Sequence, residues 1–209
     1  MQAIGPCQGK EVASLAAMLA RAFAHDPLYE YVFPDPATRE RGTAWDMGGV
    51  LRYGIRFGEV LASPEKTACA VWLPPGETDF TEARMSDVGM LNAASHIGED
   101  ADRRLNGFVH ASEEHHRRIV ARPHWYLVVL GVEPQAQSRG LGSALLMITL
   151  RRADHDKLPV YLETLNPRNV AFYERRGFVV RAEAPLPEGD VTVWYMVRDP
   201  ECQGPLTIR

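Results

Sequence analysis

Residues 124–178 read HWYLVVLGVEPQAQSRGLGSALLMITLRRADHDKLPVYLETLNPRNVAFYERRGF, centred on Gln137-Ser138-Arg139-Gly140-Leu141-Gly142. Ahead of that centre, Trp125 to Val132 is an apolar run rich in β-branched and aromatic residues. It is too short for a buried helix, so it predicts a strand. Pro134 ends the strand, because proline has no N–H for a ladder. Beyond the strand, Leu141, Leu145 and Ile148 recur at helical spacing with Ala144 beside them, which predicts a helix to about Asp156. The glycines therefore sit at a strand-to-helix turn. Such a turn leaves backbone N–H groups without partners at the positive end of a helix dipole, a ready site for a phosphate. Glycine admits a close approach of the anion to the backbone, and Arg139 adds a fixed charge.

Three ligand classes use turns of this kind. A nucleoside-triphosphate loop needs Lys and then Ser or Thr after the second glycine, whereas Ser143-Ala144 follows here. A dinucleotide fingerprint needs a third glycine where Leu145 stands, and its ribose acid would be Glu163, which lies inside an apolar strand and not at its end. The third ligand is the pyrophosphate of coenzyme A. Gln-x-x-Gly-x-Gly after a Val-x-Pro strand end resembles the acyl-CoA motif of the GNAT superfamily of N-acetyltransferases. Asn169-x-x-x-Tyr173-x-x-x-Gly177-Phe178 resembles that superfamily's second signature. The wording LETLNPRNVAFYERRGF is similar to the puromycin-type small-molecule acetyltransferases. The resemblance is strong over residues 124 to 183 and weaker over AFAHDPLYEYVFPD and AVWLPPG.

The resemblance implies a specific fold. It is a mixed α/β (α+β) architecture, with a splayed, mostly antiparallel sheet flanked by helices. The sheet opens after the strand bearing Leu130, Gly131 and Val132, and pantetheine lies in the gap against exposed strand backbone. Gly131 suits the bulge that opens such a gap. Its other reading is a packing glycine. Acetyl-CoA is then the co-substrate, with no metal. Its anchors are the backbone from Ser138 through Gly140, Leu141 and Gly142 to Ser143, with Gln137 and Arg139 beside it.

Acetyl transfer from a thioester to an amine also needs an acid, a base and an oxyanion donor. By resemblance Tyr173 reaches the sulfur of CoA, and a phenol near ~10 is close enough to a thiol near ~8.5 to share a proton. Asn169, one helical turn earlier, faces the same way and by resemblance bonds the pantetheine arm, or it serves only as an N-cap. Glu163 is the first candidate base, because an acid in an apolar strand must be paired, ligand-facing or shifted in pKa. His124 is the second and Asp26 the third. The Val132 N–H is a candidate oxyanion donor. The acceptor pocket is expected from Asp26, Tyr29, Tyr31, Phe33 and Trp72, with His124, since acids and aromatic faces suit an organic cation. Core packing of the aromatics is the competing reading.

Composition bounds the rest. The 209 residues suit one domain, with 1–123 mainly on the substrate side and 124–200 forming the acetyl-CoA core. A 45% hydrophobic and 24% charged content is that of a globular chain. No stretch approaches ~20 uninterrupted apolar residues, and the first residues lack a basic head and apolar core. Three scattered cysteines argue against a disulfide framework or a zinc site and for a reducing, cytoplasmic setting. The formal charge of −4 gives no nucleic-acid footprint, yet Trp125–Arg181 carries +3 and the remainder −7. A basic half suits a polyanionic co-substrate and an acidic half a cationic acceptor. The leading expectation is acetylation of a small primary amine by direct attack in a ternary complex, by a monomer or homodimer. Acetylation of a protein N-terminus or lysine is a second reading, and a catalytically silent acyl-CoA sensor a third.

In chain order, helices are predicted over Glu11–Ala24 and Thr38–Leu61, a strand over Thr67–Leu73, and one or two helices within Phe80–Ile119. His115-His116-Arg117-Arg118 reads as a solvated helical face. Strands follow at Val160–Leu165, Phe178–Ala182 and Val191–Val197, with a short helix Asn169–Arg176 ended by Gly177 and a loose tail over 201–209.

Overall fold

The computed structural model describes residues 4–186 and 189–201. Seven strands form one sheet in the order β1-β2-β3-β4-β5-β7-β6. They are β1 (Gly5–Pro6), β2 (Glu59–Ala62), β3 (Ala68–Leu73), β4 (Trp125–Val132), β5 (Val160–Thr164), β6 (Val179–Pro185) and β7 (Thr192–Arg198). Every pairing is antiparallel except β4 with β5. The expected mixed, mostly antiparallel α/β sheet is what the chain forms.

Side chains alternate between the two faces of the sheet. One face carries Val71, Val129, Tyr161, Val193 and Tyr195. It packs against α1 (Val12–Ala22), α2 (Pro27–Val32), α3 (Pro36–Phe57) and α6 (Glu99–Ile119). The other carries Trp72, Leu127, Val160, Leu162 and Met196. It packs against α7 (Leu141–Asp156) and α8 (Pro167–Glu174) through Leu145, Leu146, Leu150 and Tyr173. The helix forms as predicted, but its buried stripe is Leu145, Leu146, Thr149, Leu150 and Ala153; of the residues that predicted it, Leu141 and Ile148 are only half-buried and Ala144 is exposed.

Several elements differ from the sequence reading. α3 starts at Pro36, capped by Asp35, whose carboxylate accepts from the Ala37 N–H at 2.9 Å. It stops at Phe57, and β2, of which residues 59–61 were expected to continue the helix, pairs with β3 instead. Gly58 is the cause: a Cβ there would stand 2.1 Å from the Trp72 carbonyl oxygen, so only glycine lets the chain turn back this close to β3. α2 lay unread between Pro27 and Phe33. The span 80–119 holds three helices, α4 (Glu82–Asp87), α5 (Ala94–Ile97) and α6, with Gly98 at φ 88° between the last two. α8 begins two residues before its predicted start. Asn166, not Asn169, caps it, accepting from the Arg168 N–H at 3.1 Å. Gly177 ends it at φ 83°, with the Phe178 N–H returning to the Tyr173 carbonyl at 3.2 Å. Most of the predicted tail and Cys202 lie outside the described residues.

Among the described residues, no helix is long and apolar enough to cross a membrane. No group of three or more His, Cys, Asp and Glu there is arranged to hold a metal ion.

Candidate active site

The parallel strands β4 and β5 share only three pairs, Trp125–Leu127 against Val160–Leu162. Beyond Leu127 and Leu162 they part. The fork coincides with a break in register on the other side of β4: Val71 faces Val129 and Trp72 faces Leu127, so Val128 has no partner. The bulge is therefore at Val128 and not at Gly131. Gly131 keeps register with Cys69, and a Cβ on it would lie 2.2 Å from Leu19 Cδ2, so it is the packing glycine of the two readings. Past the bulge, Leu130, Gly131 and Val132 present an edge of β4 that β5 no longer covers. Such an edge carries unpaired N–H and C=O groups.

The chain then runs into the α7 turn. Gly140 stands at the helix entry with φ 81°, and no side chain caps the helix. The first helical bond runs from the Ala144 N–H to the Gly140 carbonyl at 2.9 Å, which leaves the amides of Leu141, Gly142 and Ser143 at a bare N-terminus. Ser138 is also left-handed, at φ 62°. Among the described residues, nothing lies within 4 Å of where a Gly140 Cβ would be, so they leave the mouth of the turn open. Arg139 is exposed beside it, and Gln137 donates to the Val132 carbonyl at 3.2 Å, tying the turn to the strand end. These groups fit a pyrophosphate: free amides, a positive helix end, and an exposed cation. Arg176, which the sequence reading passed over, donates to Ser143 Oγ while its guanidinium lies 3.6 Å from the centre of the Phe172 ring. It thereby ties α8 to the first turn of α7.

Tyr173 reaches the fork from α8. Its ring is 7% exposed and held edge-on by Phe172 and Phe178, with centroids 5.2 and 5.6 Å away. Its hydroxyl makes no hydrogen bond among the described residues. Burial and the charge of Asp26 raise its pKa, and Arg176 opposes them, so the phenol stays protonated. Asp26 caps α2, accepting from the Leu28 N–H at 3.1 Å, and its carboxyl is pushed up to about 6, chiefly by burial. The charge of Asp26, in the first half of the chain, is thus felt at Tyr173 in the second. Asn169 donates to Thr164 Oγ1 at 3.4 Å, so it braces α8 against the end of β5.

Glu163 is the first β5 residue beyond the last β4 pair. Its Oε1 accepts from two phenols at 3.1 Å each, Tyr126 on β4 and Tyr161 on its own strand. Burial raises its carboxyl to about 7, and the two tyrosine bonds restrain the rise. A carboxyl titrating there can accept a proton at neutral pH and give it up again.

Behind the tyrosines lies a histidine pair. His116, expected on a solvated face, is 8% exposed and points inward, while Arg117 and Arg118 beside it carry the exposed face. Its Nε2 stands 2.6 Å from Nε2 of His124, itself 5% exposed. His124 Nδ1 lies 2.7 Å from the Arg122 carbonyl, which can only accept. That nitrogen therefore carries the proton, leaving Nε2 of His124 to accept from His116. His124 is thus engaged twice and does not face the fork directly.

Of the expected acceptor-pocket residues, Asp26 is half-buried at the start of α2, where its field reaches Tyr173, and Tyr31 is half-buried against the turn between β6 and β7. The structure does not bring Tyr29, Phe33 or Trp72 to the fork. Tyr29 is 4% exposed and gives its hydroxyl to the buried Asp46 at 2.6 Å. Phe33 is buried on the same side of the sheet, and Trp72 is fully buried on the α7 side. Their aromatic faces serve packing. The residues missed were Tyr126, Tyr161 and His116. The two-residue spacing of Tyr161 and Glu163 on a strand was the available signal for one of them.

The acetyltransferase (GNAT) family model matches residues 62–178, a span that runs from β2 through the fork and the α7 turn to the end of α8. An uncharacterized N-acetyltransferase of Schizosaccharomyces pombe is 27% identical over 207 residues, covering 94% of this chain and 83% of its own length. A mycothiol acetyltransferase of Segniliparus rotundus is 27% identical over 186 residues, covering 87% of this chain and 66% of its own. Among solved structures, the polyamine N-acetyltransferase of Drosophila melanogaster superposes with a TM-score of 0.65 at 17% identity, over 94% of this chain and 99% of that one. The matched span is more than half of the chain and holds both the uncapped glycine turn and the Tyr173 helix: the chain belongs to the acetyltransferase (GNAT) family and is an acetyl-transferring enzyme.

Proposed function

We propose that the chain transfers the acetyl group of acetyl-CoA to a primary amine of a small molecule, by direct attack in a ternary complex. The observation that carries this reading is Glu163, a carboxyl at the mouth of the fork that accepts from two tyrosines and that burial, restrained by those bonds, raises to about 7. In this reading the co-substrate supplies an activated thioester. The bare amides of Leu141, Gly142 and Ser143, with Arg139, hold its pyrophosphate, and the open edge of β4 at Leu130 to Val132 holds its arm. Glu163 takes the proton of the attacking amine. Tyr173, kept protonated by burial, gives a hydrogen bond and then a proton to the leaving sulfur.

The acceptor side favours a cation. Glu163 lies at the fork, the field of Asp26 reaches Tyr173, and the field of Glu113 and Asp79 reaches Tyr126 and His124 behind it. A polyamine N-acetyltransferase is among the structural neighbours, at an identity where likeness carries fold alone.

The test is a panel of primary amines and short peptides, with thiol release from acetyl-CoA as readout. The reading expects turnover with a small amine well above that with any peptide. Tight acetyl-CoA binding with no turnover on any amine, or turnover on peptides alone, contradicts it.

A further inference from the structure

We propose that His116 is a positioning residue for Glu163, acting through the tyrosine rings on which it rests. The inference rests on the reading of Glu163 as the base. His116 lies flat on Tyr161, with centroids 4.0 Å apart and planes 2° from parallel. The same imidazole meets Tyr126 at 4.9 Å in an edge contact. These are the two residues whose hydroxyls end on Glu163 Oε1. A phenol can hold a hydrogen bond only if its ring is held, since rotation about the side-chain torsions swings the hydroxyl away. One buried ring braced against both phenols fixes both donors.

His116 is itself fixed. It sits on α6, and its Nε2 donates to His124, whose other nitrogen is spent on the Arg122 carbonyl. Burial, then the neighbouring His124 and Arg117, lower its pKa to about 3, so it is neutral and acts by shape. The charged and titratable groups around the assembly are Glu113, His115 and Arg117 on α6, His124 and Tyr126 on the β4 side, Tyr161 and Glu163 on β5, Tyr195 on β7, and Asp79 after β3. Arg117 among these acts on His116, and no cation among them offsets the charge of Glu163. The donors of Tyr126 and Tyr161 are what offset its burial, so their placement sets where it titrates.

The consequence is an upward move of the Glu163 titration when the brace is removed. Carboxyl-13C NMR of the free enzyme reads this without turnover, and the acidic limb of the pH–rate profile reads it during turnover. His116→Ala should raise both by about one pH unit, the scale of one hydrogen bond to a charged group. Tyr161→Phe, which keeps the ring and removes the hydroxyl, should do the same. His116→Phe, which keeps a ring against both tyrosines, should stay near the parent. If His116→Ala does not fold, His116→Gln removes the ring while keeping a donor for His124, and the same rise is expected. An unchanged Glu163 titration in the ring-deleted variant overturns the inference, as does a rise in His116→Phe equal to that in the alanine variant. Glu163→Gln separates this from the reading beneath it. If that variant keeps the acidic limb, Glu163 is not the base, while the NMR titration still decides whether His116 positions it.

Discussion

Tyr161 and Glu163 stand two residues apart on β5, on the same face, and the Tyr161 hydroxyl meets Glu163 Oε1 at 3.1 Å. The strand geometry makes this contact local. Tyr126 makes the matching contact from β4, and it does so only because Tyr126 and Tyr161 are paired in the last stretch before the strands separate. The fork thus opens beside a carboxyl that already has its donors.

A half-buried carboxyl with a raised pKa, as Glu163 is, destabilises the fold once it ionises. Below about pH 4.5 Glu163 is protonated in both folded and unfolded chains and costs nothing. Between 4.5 and about 7 the unfolded chain loses this proton first, so the contribution falls as pH rises; above 7 the full penalty applies. At about 1.4 kcal/mol per unit the penalty is on the order of 3 kcal/mol. Glu163→Gln should therefore gain stability over the parent as pH rises from 5 to 8 in urea unfolding. A constant difference across that range would show that Glu163 titrates normally.

Tyr173→Phe removes a hydroxyl that has no hydrogen-bond partner among the described residues, while keeping the ring between Phe172 and Phe178. Folding should be unaffected. Turnover should fall ~10²–10⁴-fold with acetyl-CoA affinity nearly intact, and the loss should shrink for acyl donors with a more acidic thiol. Near-parental turnover, under conditions where chemistry limits the rate, would remove Tyr173 from the acid's role.

Gly140→Val adds side-chain atoms where there is room for a Cβ but at φ 81°, a conformation that costs a β-branched residue about 1–3 kcal/mol. The turn should relax away from its present shape and lose its cradle. Calorimetry should show acetyl-CoA affinity reduced tenfold or more in a protein with unchanged circular dichroism. Unchanged affinity would mean the pyrophosphate binds elsewhere.

Much of this was legible in the sequence, and the misses have physical causes. The strand Trp125–Val132 and the helix Leu141–Asp156 follow from local periodicity, and the structure has both with the predicted ends. Gly131 was read two ways because a glycine in a strand looks alike whether it bends the backbone or admits a neighbour. Only the position of Leu19 decides between them. α3 was read too long because its stop depends on the Trp72 carbonyl, far off in the chain. His116 was hidden by Arg117 and Arg118: a helix turns 100° per residue, so neighbours in sequence face different surroundings. Trp72 and Tyr29 looked like pocket walls because aromatic composition does not say which face of the sheet a ring joins.

The most direct measurement is the pH dependence of kcat for the parent and for Glu163→Gln, on the same small amine, between pH 5 and 10. The parent should show an acidic limb with its midpoint near 7, where burial and the two tyrosines leave the Glu163 carboxyl. The variant should be slower and lack that limb, keeping only the limb set by the amine itself. A variant that retains a limb near 7 would contradict the placement of the base at the fork.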